Sequence, residues 1–295
     1  MLKTKKTNDY IEIQVLPKWD GKKIEVVLRD ELLVPKKLIH QWRMNKSVLL
    51  NNEINQLESL ISTNDILSLP IYASEENDIP AFSSDISITY EDDDILIVEK
   101  KVGMNTHPDS TEQLDTLLNV VSHYFHIHQI QTKPRHIHRL DRDTSGQVLF
   151  AKNAYIGSQL DRLLEQRKIK RSYAALVEGI ITKDKGIIRA SIGRDRHANR
   201  MRVSSTGLSA VTSFEVLERF QRKQQTLVKC SLETGRTHQI RVHMSSIGHP
   251  LVGDTLYGGK PYRIGQALHA YQIEFIHPLN GNKIDAKSKF DFLYK

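Results

Sequence analysis

The chain has 295 residues, a formal net charge of +7 and an apolar fraction of 39%. It is long enough for two domains and can bury a core without disulfides, and its single cysteine, Cys230, excludes a disulfide framework. No apolar run approaches the length of a bilayer-spanning helix, and no apolar signal core follows the basic amino terminus. The composition therefore favours a cytoplasmic protein outside the membrane.

The positive charge is unevenly distributed along the chain. Residues 1–82 contain 11 Lys and Arg against 12 Asp and Glu, whereas the rest contains 31 against 23. The excess is concentrated in residues 133–142, 162–171 and 189–202. Such segments suit a polyanionic partner, because counterions released from its phosphates favour binding, although each segment alone is better explained as a solvated surface.

The predicted elements begin with two helices, in IEVVLRDEL and VPKKLIHQWRMNK, followed by a short strand in SVLLNN. In the second helix, Lys36, His40, Arg43 and Lys46 form a basic stripe beside an apolar face. This pattern resembles the RNA-binding motif named after ribosomal protein S-four. The resemblance implies auxiliary RNA binding through Lys36, Arg43 and Lys46, and a purely structural helical appendage is the alternative.

A linker is predicted between Leu69 and Ser84, where Pro, Ser and acidic residues occur without a sustained period. This divides the chain into a domain of residues 1–82 and a larger domain of residues 83–295. The larger domain is predicted to open with a β-hairpin, because alternating apolar residues precede the turn EDDD and the apolar run ILIV.

Mixed α and β elements follow. Apolar spacing predicts a helix from about Ala154 to Gln166, and KRSYAALV and LVKCSLE are typical of strands. Alternation within these strands predicts that Cys230 is a core residue. On the same evidence Tyr173 is a core tyrosine whose hydroxyl is hydrogen-bonded at an edge.

The segment HIHRLDRDTSGQVLF carries the residues most indicative of chemistry. Residues 143–146, Asp-Thr-Ser-Gly, favour a turn, and a turn alone explains them. Asp141 differs, because Arg139 and Arg142 flank it and hold a carboxylate ionised near a surface that attracts phosphate. Asp141 is therefore a candidate nucleophile or base for a reaction on nucleic acid.

A second segment, GRTHQIRVHMSSIGHP, predicts a helix that ends before its Gly-His-Pro. Thr237 is predicted to cap this helix, and Ile240, Met244 and Ile247 share its apolar face. Arg241 projects beside that face. From the pattern alone it is a surface arginine.

Four separated motifs resemble those of the Rlu-type RNA pseudouridine synthases, in the family's order, over roughly residues 85–280. The resemblance implies the α+β pseudouridine synthase fold: a long, mixed, mainly antiparallel sheet in two halves around a basic cleft, here preceded by a small N-terminal α/β RNA-binding domain. It also implies an isomerase that converts uridine to pseudouridine within RNA. This reaction gains and loses no atoms, so neither a cofactor nor a metal is expected. The motifs are HRLDRDTSG, KRSYAALVEG, LETGRTHQIRVHMSSIGHPLVGDTLYG and ALHAYQIEFIHP.

The resemblance also implies roles for individual residues. Asp141 is the catalytic carboxylate, Arg241 pairs with it and keeps it charged, and Tyr173 stacks on the target uracil and helps to remove the ring proton. Arg139 fills the stack when the target nucleotide is flipped out. Further candidates for binding RNA or the target base are His138, Leu140, Thr144, Arg236 and Gln239.

Alternatives to this reading remain open. Large-subunit ribosomal RNA is the favoured partner of an expected monomer, with transfer RNA as the alternative substrate. A non-catalytic RNA-binding or ribosome-assembly protein is a second possibility. A metal-dependent nuclease is a third, since His126 and His128, and again His136 and His138, form HxH pairs, but no carboxylate-rich or cysteine cluster completes a site.

Overall fold

The computed structural model describes residues 3–262 and 265–290, so the ends of the two predicted domains, at 1–2 and 291–295, lie outside it. The N-terminal part forms a five-stranded antiparallel sheet in the order β1-β2-β5-β3-β4. The predicted order of helix, helix and strand is confirmed, with a first helix that continues as a π-helical segment. The elements are β1 (Thr4–Thr7), β2 (Tyr10–Gln14), α1 (Ile24–Val26, continued by Val27–Glu31), α2 (Lys36–Met44), β3 (Leu49–Leu50), β4 (Glu53–Ile54) and β5 (Ile66–Leu69).

Within the described residues, the larger part contains a ten-stranded sheet, a separate two-stranded sheet of β12 and β13, and three α-helices. The strand order is β11-β14-β15-β10-β16-β9-β7-β6, with β17 beside β16 and β8 beside β9. The predicted opening hairpin is β6 and β7, and the predicted helix at Ala154 is α4. The elements are β6 (Ser87–Glu91), β7 (Ile95–Lys100), α3 (Leu117–Ile127), β8 (Arg135–His136), β9 (Ser145–Ala151), α4 (Ala154–Glu165), β10 (Lys170–Glu178), β11 (Lys185–Arg189), β12 (Ile192–Arg194), β13 (Met201–Val203), β14 (Val211–Phe220), β15 (Gln225–Leu232), α5 (Gln239–Ser246), β16 (Leu268–Ile276) and β17 (Lys283–Lys287).

The two halves of this sheet meet where β9 runs parallel to β16, and every other pairing in the sheet is antiparallel. Gly146 lies at this seam with φ +111°, and a β-carbon there would lie 2.3 Å from the carbonyl oxygen of Ala270. Only glycine allows the backbones to approach so closely. The glycine predicted to belong to a turn is thus a strand residue, and the turn lies earlier, where the Thr144 N–H donates to the Asp141 carbonyl at 3.1 Å.

The N-terminal part packs directly on the larger part. The Tyr155 hydroxyl and Gln159 Nε2 of α4 donate to the carbonyl oxygen of Leu32, at 3.0 and 3.3 Å. The buried apolar side chains of the two parts form one continuous cluster. The two parts therefore share a core at their junction.

The predicted linker has no helix or strand between residues 70 and 86, but it is not a free tether. The Phe82 N–H donates to the Asn119 carbonyl at 3.1 Å, and Asn119 Nδ2 donates to the Pro80 carbonyl at 2.8 Å. Farther along, Arg135 pairs with Glu75 at 2.6 Å. The segment is docked on α3 and β8.

Helix α5 departs from its predicted N-terminus. Its N-cap residue is His238, at φ +54°, and no side chain caps the helix there, so the prediction of Thr237 as the cap is wrong. Ile240 and Met244 are buried as predicted, whereas Ile247 is exposed. No helix among the described residues is long and apolar enough to cross a membrane.

Candidate active site

A cavity of about 430 Å³ opens beside the seam of the large sheet. Its walls come from the loop before β9, from β10 and from the segment between β15 and α5. Nine of the predicted site residues line it together, although the first and the last are more than a hundred positions apart in sequence. They are His138, Arg139, Leu140, Asp141, Thr144, Tyr173, Arg236, Gln239 and Arg241.

The loop that carries Asp141 is held from both sides. Thr106 Oγ1 accepts the Leu140 N–H and donates to the Leu140 carbonyl, both at 3.0 Å. Buried Lys100 donates from Nζ to the Arg142 carbonyl at 2.8 Å. These bonds fix the backbone around a carboxylate whose side chain keeps 23% of its exposure.

Lys100 is a positioning residue that the sequence did not single out. Its ammonium also donates to the carbonyls of Lys101 and Met104, so all three of its hydrogens are used. Burial lowers the pKa of Lys100 to about 8, although the charges of Asp141 and Asp143 oppose the shift. The lysine thus couples the loop to the end of β7.

Arg241 contacts two carboxylates at once. Its Nη1 donates to Asp141 Oδ2 at 3.0 Å, while Nε and Nη2 donate to the two oxygens of Asp254 at 2.7 and 2.9 Å. The Arg241 side chain is only 8% exposed, so the reading of a surface arginine is wrong. Paired donors of this kind fix the orientation of a guanidinium as well as its position.

Asp254 explains why a buried arginine is tolerated. Burial lowers the pKa of Arg241, but the hydrogen bonds and charge of Asp254, together with Asp141, outweigh burial and leave that pKa raised. Asp254 is 1% exposed. A buried carboxylate that pairs with two nitrogens holds the guanidinium so that its remaining nitrogen faces Asp141.

Tyr257 and His238 complete the surroundings of this pair. The Arg241 guanidinium lies 5.0 Å from the Tyr257 ring centroid, and the Tyr257 hydroxyl lies 2.8 Å from His238 Nδ1. His238 Nε2 is 3.8 Å from Asp141 Oδ2. Burial lowers the pKa of His238 despite the opposing charge of Asp141, so the ring is neutral at pH 7.

Tyr173 lies on β10 and is 5% exposed. It packs with Ala175 and Val177, as alternation along the strand predicted, and it also lines the cavity. Burial raises the pKa of Tyr173, and the charge of Asp141 raises it further, so the phenol is protonated at neutral pH.

Several predicted contact residues instead support the walls of the cavity. Burial lowers the pKa of His138 to about 3, and its Nε2 accepts the Leu149 N–H. Thr144 Oγ1 accepts a hydrogen bond from Gln266, and the Gln239 amide bonds with Thr234, Arg236, Val211 and Thr212. Because the amide of Gln239 is fully used, it has no donor or acceptor free for a base.

Among the described residues, one group of His and Asp side chains lies close enough together to hold a metal ion, but its hydrogen bonds do not suit metal binding. That group, Asp92, Asp94 and His277, lies outside the cavity. His277 Nδ1 accepts the N–H groups of Leu279 and Asn280, so the ring hydrogen is on Nε2, the nitrogen that faces the two carboxylates. A neutral imidazole that binds a metal instead carries its hydrogen on the other nitrogen and donates it.

Comparison with known proteins identifies the family. The profile of the family described as RNA pseudouridylate synthase matches residues 94–246, which include Asp141, Tyr173 and Arg241. The chain belongs to this family. A second profile, described as the RluD ribosomal pseudouridine synthase N-terminal domain, matches residues 11–67. The chain is thus an Rlu-type synthase, an isomerase that converts uridine to pseudouridine in RNA.

Individual relatives agree with this assignment. The synthase is 39% identical over 282 residues to the uncharacterized RNA pseudouridine synthase YhcT of Bacillus subtilis, covering 95% of this chain and 93% of that protein. It is 44% identical to ribosomal large subunit pseudouridine synthase D of Nitrosomonas europaea over 66% of this chain and 59% of that one. Human RNA Pseudouridylate Synthase Domain Containing 1 superposes with a TM-score of 0.57 at 29% identity, over 70% of this chain and 83% of that structure. The expected fold is confirmed.

The remaining arginines and lysines among the predicted site residues form two groups. Arg139 and Arg236 are exposed at the mouth of the cavity, and Arg139 lies 3.2 Å from His107. In the N-terminal sheet domain, Lys36, Arg43 and Lys46 do not line the cavity. Arg43 is paired with Glu25 and Glu58, whereas Lys36 and Lys46 are exposed.

Sequence reasoning missed Asp254, Tyr257, His238, Lys100 and Arg171. Asp254 and Tyr257 lie in GDTLYG, the end of the third family motif, but the resemblance was not used to predict a role for either residue. Arg171, on β10 two residues before Tyr173, also lines the cavity. Its shared strand with Tyr173 is the signal that could have found it.

Proposed function

We propose that this synthase isomerises specific uridines of large-subunit ribosomal RNA, with Asp141 as the essential carboxylate. The observation that carries the proposal is the Asp141–Arg241 contact of 3.0 Å at the cavity wall. Asp254 accepts a second hydrogen bond from Arg241 and so holds the guanidinium in place. An oriented carboxylate in a partly enclosed cavity, with a cation fixed beside it, suits chemistry at a sugar or a ring carbon.

The reaction conserves all atoms of the nucleotide. The bond from N1 of uracil to C1′ of ribose breaks, the base turns while bound, and a bond from C5 to C1′ forms. The C5 hydrogen leaves as a proton, and N1 gains one. Asp141 can attack the sugar, add to the ring or remove a ribose proton, and each of these routes requires its ionised form.

The position of the carboxylate on a cavity wall supports base flipping as part of the proposed reaction. A base within a stacked helix cannot reach a cavity wall, so the target nucleotide has to be extruded. Arg139 is exposed at the mouth next to Leu140, and we assign it to the gap that the nucleotide leaves. Arg236 contributes a second positive charge at the same mouth, while His138, Leu140, Thr144 and Gln239 support the walls.

For Tyr173, we expect the Tyr173→Phe variant to bind RNA as the native protein does but to turn over about 10- to 100-fold more slowly. The ring still stacks on uracil, and only the hydroxyl that assists removal of the C5 proton is lost. Single-turnover release of tritium from RNA labelled at C5 measures this step, and filter binding measures affinity. Tyr155→Phe, which removes an equally buried hydroxyl outside the cavity, is the matched control. Unchanged tritium release would reduce Tyr173 to a stacking platform.

The choice of ribosomal RNA rests on relatives named ribosomal large subunit pseudouridine synthase D. Mapping pseudouridines in ribosomal and transfer RNA from cells with and without the gene tests it. Loss of a ribosomal position supports the proposal, and loss confined to transfer RNA supports the alternative substrate. Incubation of RNA with the protein and a chelator separates a nuclease, which shortens RNA, from a synthase, which preserves its length.

The N-terminal domain, for which we propose residues 1–82, is assigned to auxiliary RNA binding. Arg43 of the basic stripe on α2 is already paired with two glutamates. Lys36 and Lys46 are therefore the residues of this stripe whose charge we expect RNA to contact. Reversing both to Glu should weaken binding of full-length RNA about tenfold at physiological salt, roughly 1.4 kcal/mol, and flatten the salt dependence. Turnover of a short target RNA should be unchanged.

The control for this prediction reverses Arg222 and Lys223, which carry an equal charge in the turn between β14 and β15 and do not line the cavity. Equal affinities for the two double variants would make the N-terminal domain a structural appendage. The expectations of a monomer, of a cytoplasmic location and of a reaction without cofactor or metal stay predictions.

A further inference from the structure

Arg171 is a cation in the cavity without an internal partner. The side chain is half-buried, and no hydrogen bond or ion pair of its guanidinium is found within residues 3–262 and 265–290. Its Nε atom is fully buried and still makes no hydrogen bond. A guanidinium has five N–H donors, and leaving them unused in a protein interior costs free energy.

The fold makes room for this side chain. A β-carbon at Gly235 would lie 3.3 Å from both terminal nitrogens of Arg171, so the glycine leaves the space that the guanidinium occupies. Glu233, a carboxylate of the cavity wall, lies 3.9 Å from Arg167, and among the described residues no carboxylate oxygen lies within 4.0 Å of Arg171. Arg171 is thus accommodated by the backbone but not neutralised.

Arg171 also lies close to the reacting end of the cavity. It precedes Tyr173 by two residues on β10, a separation of about 6.6 Å along the strand. After burial, the charge of Arg171 is the next largest influence on the pKa of Tyr173 and on that of His138, and it lowers both. A group bound to Arg171 would therefore lie within one nucleotide of a base stacked on Tyr173.

We propose that Arg171 binds a phosphodiester adjoining the target uridine and so holds the extruded nucleotide with its ribose toward Asp141. This inference rests on the proposed function. A phosphate is favoured over a uracil carbonyl because the two terminal nitrogens of Arg171, which make no hydrogen bond within the described residues, match the several oxygens of a phosphate and bind them in paired fashion. Arg171 is a binding and positioning residue and takes no part in bond making.

The test uses the full chain carrying Asp141→Asn, which is expected to bind RNA without turnover, and short RNAs that contain the mapped target uridine. Arg171→Met should weaken binding about 30-fold, as expected for loss of a charge-assisted contact. It should also reduce the slope of log affinity against log salt by about 0.7, the value for one phosphate of a single strand. Arg162→Met, the same change at a half-buried arginine of α4 that does not line the cavity, should alter neither quantity.

The decisive measurement replaces the phosphate on the 5′ or on the 3′ side of the target by an uncharged methylphosphonate. One of these two RNAs should bind the Asp141→Asn protein about 30-fold more weakly than natural RNA, yet show no further loss when Arg171 is also Met. Additive losses with both RNAs would overturn the proposal. So would a lowered melting temperature of Arg171→Met alone, because that result would reveal a structural partner.

Failure of this inference can be separated from failure of the proposed function. Turnover of the unmodified RNA by the native protein is measured in parallel. Absence of turnover there contradicts the function itself, whereas normal turnover with additive losses contradicts only the assignment of Arg171.

Discussion

Replacement of Asp141 by asparagine is expected to abolish isomerisation, with a fall in turnover of at least about 10⁴-fold, or roughly 5.5 kcal/mol of transition-state stabilisation. The change keeps the size and shape of the side chain but removes its charge, and every proposed role of Asp141 requires that charge. RNA affinity should change little, because most of it comes from phosphate contacts. Tritium release under single-turnover conditions measures the loss, and filter binding measures affinity.

Asp143→Asn is the matched control for this prediction, since it makes the same change two residues away in the same loop. Asparagine serves a turn as well as aspartate does, so we expect a much smaller effect. A residual rate of Asp141→Asn within about tenfold of the native rate would remove Asp141 from the reaction. An equal loss in both variants would indicate that the loop's total charge is what matters.

The second large effect is expected for Arg241→Lys, with turnover reduced about 10²- to 10³-fold. A lysine has one ammonium and cannot contact Asp254 through two nitrogens while a third nitrogen contacts Asp141. Either Asp141 or Asp254 then loses its partner. Because an unpaired buried carboxylate is costly, the variant should also unfold more easily, by about 3 kcal/mol.

The variant Asp254→Asn tests the orientation of the Arg241 guanidinium separately from its charge. Arg241 and Asp141 both remain, but the guanidinium loses its paired anchor, so turnover should fall with little change in RNA affinity or in KM. Chemical denaturation and single-turnover kinetics of Arg241→Lys, Asp254→Asn and the double variant complete a double-mutant cycle. Additive effects on turnover would contradict the interpretation that Arg241 and Asp254 act as one unit on Asp141. Native-like turnover in Arg241→Lys would show that the Asp141–Arg241 ion pair is not needed for catalysis.

Local patterns in the sequence determined much of this protein. Alternation predicted the hairpin β6–β7 and the burial of Cys230 and Tyr173, and a period of 3.6 predicted α4 from Ala154, because these periods record which face of a strand or helix is buried. Asp141 stood out because two arginines flank it in a turn-forming segment. The four motifs in order then indicated the family, which the comparison with known proteins confirmed.

Tertiary structure alone decided the contacts that join distant segments. The pattern of α5 predicted that Arg241 is a surface residue. In the structure it is buried, and its charge is neutralised by Asp254, thirteen positions later, and by Asp141, a hundred positions earlier. The seam at Gly146 depends on Ala270 in another strand, and the docking of residues 70–86 depends on α3. Local periodicity reports only how each residue relates to its chain neighbours. Whether a polar side chain at such a position stays exposed, or finds a partner that allows its burial, depends on the segment the fold brings against it.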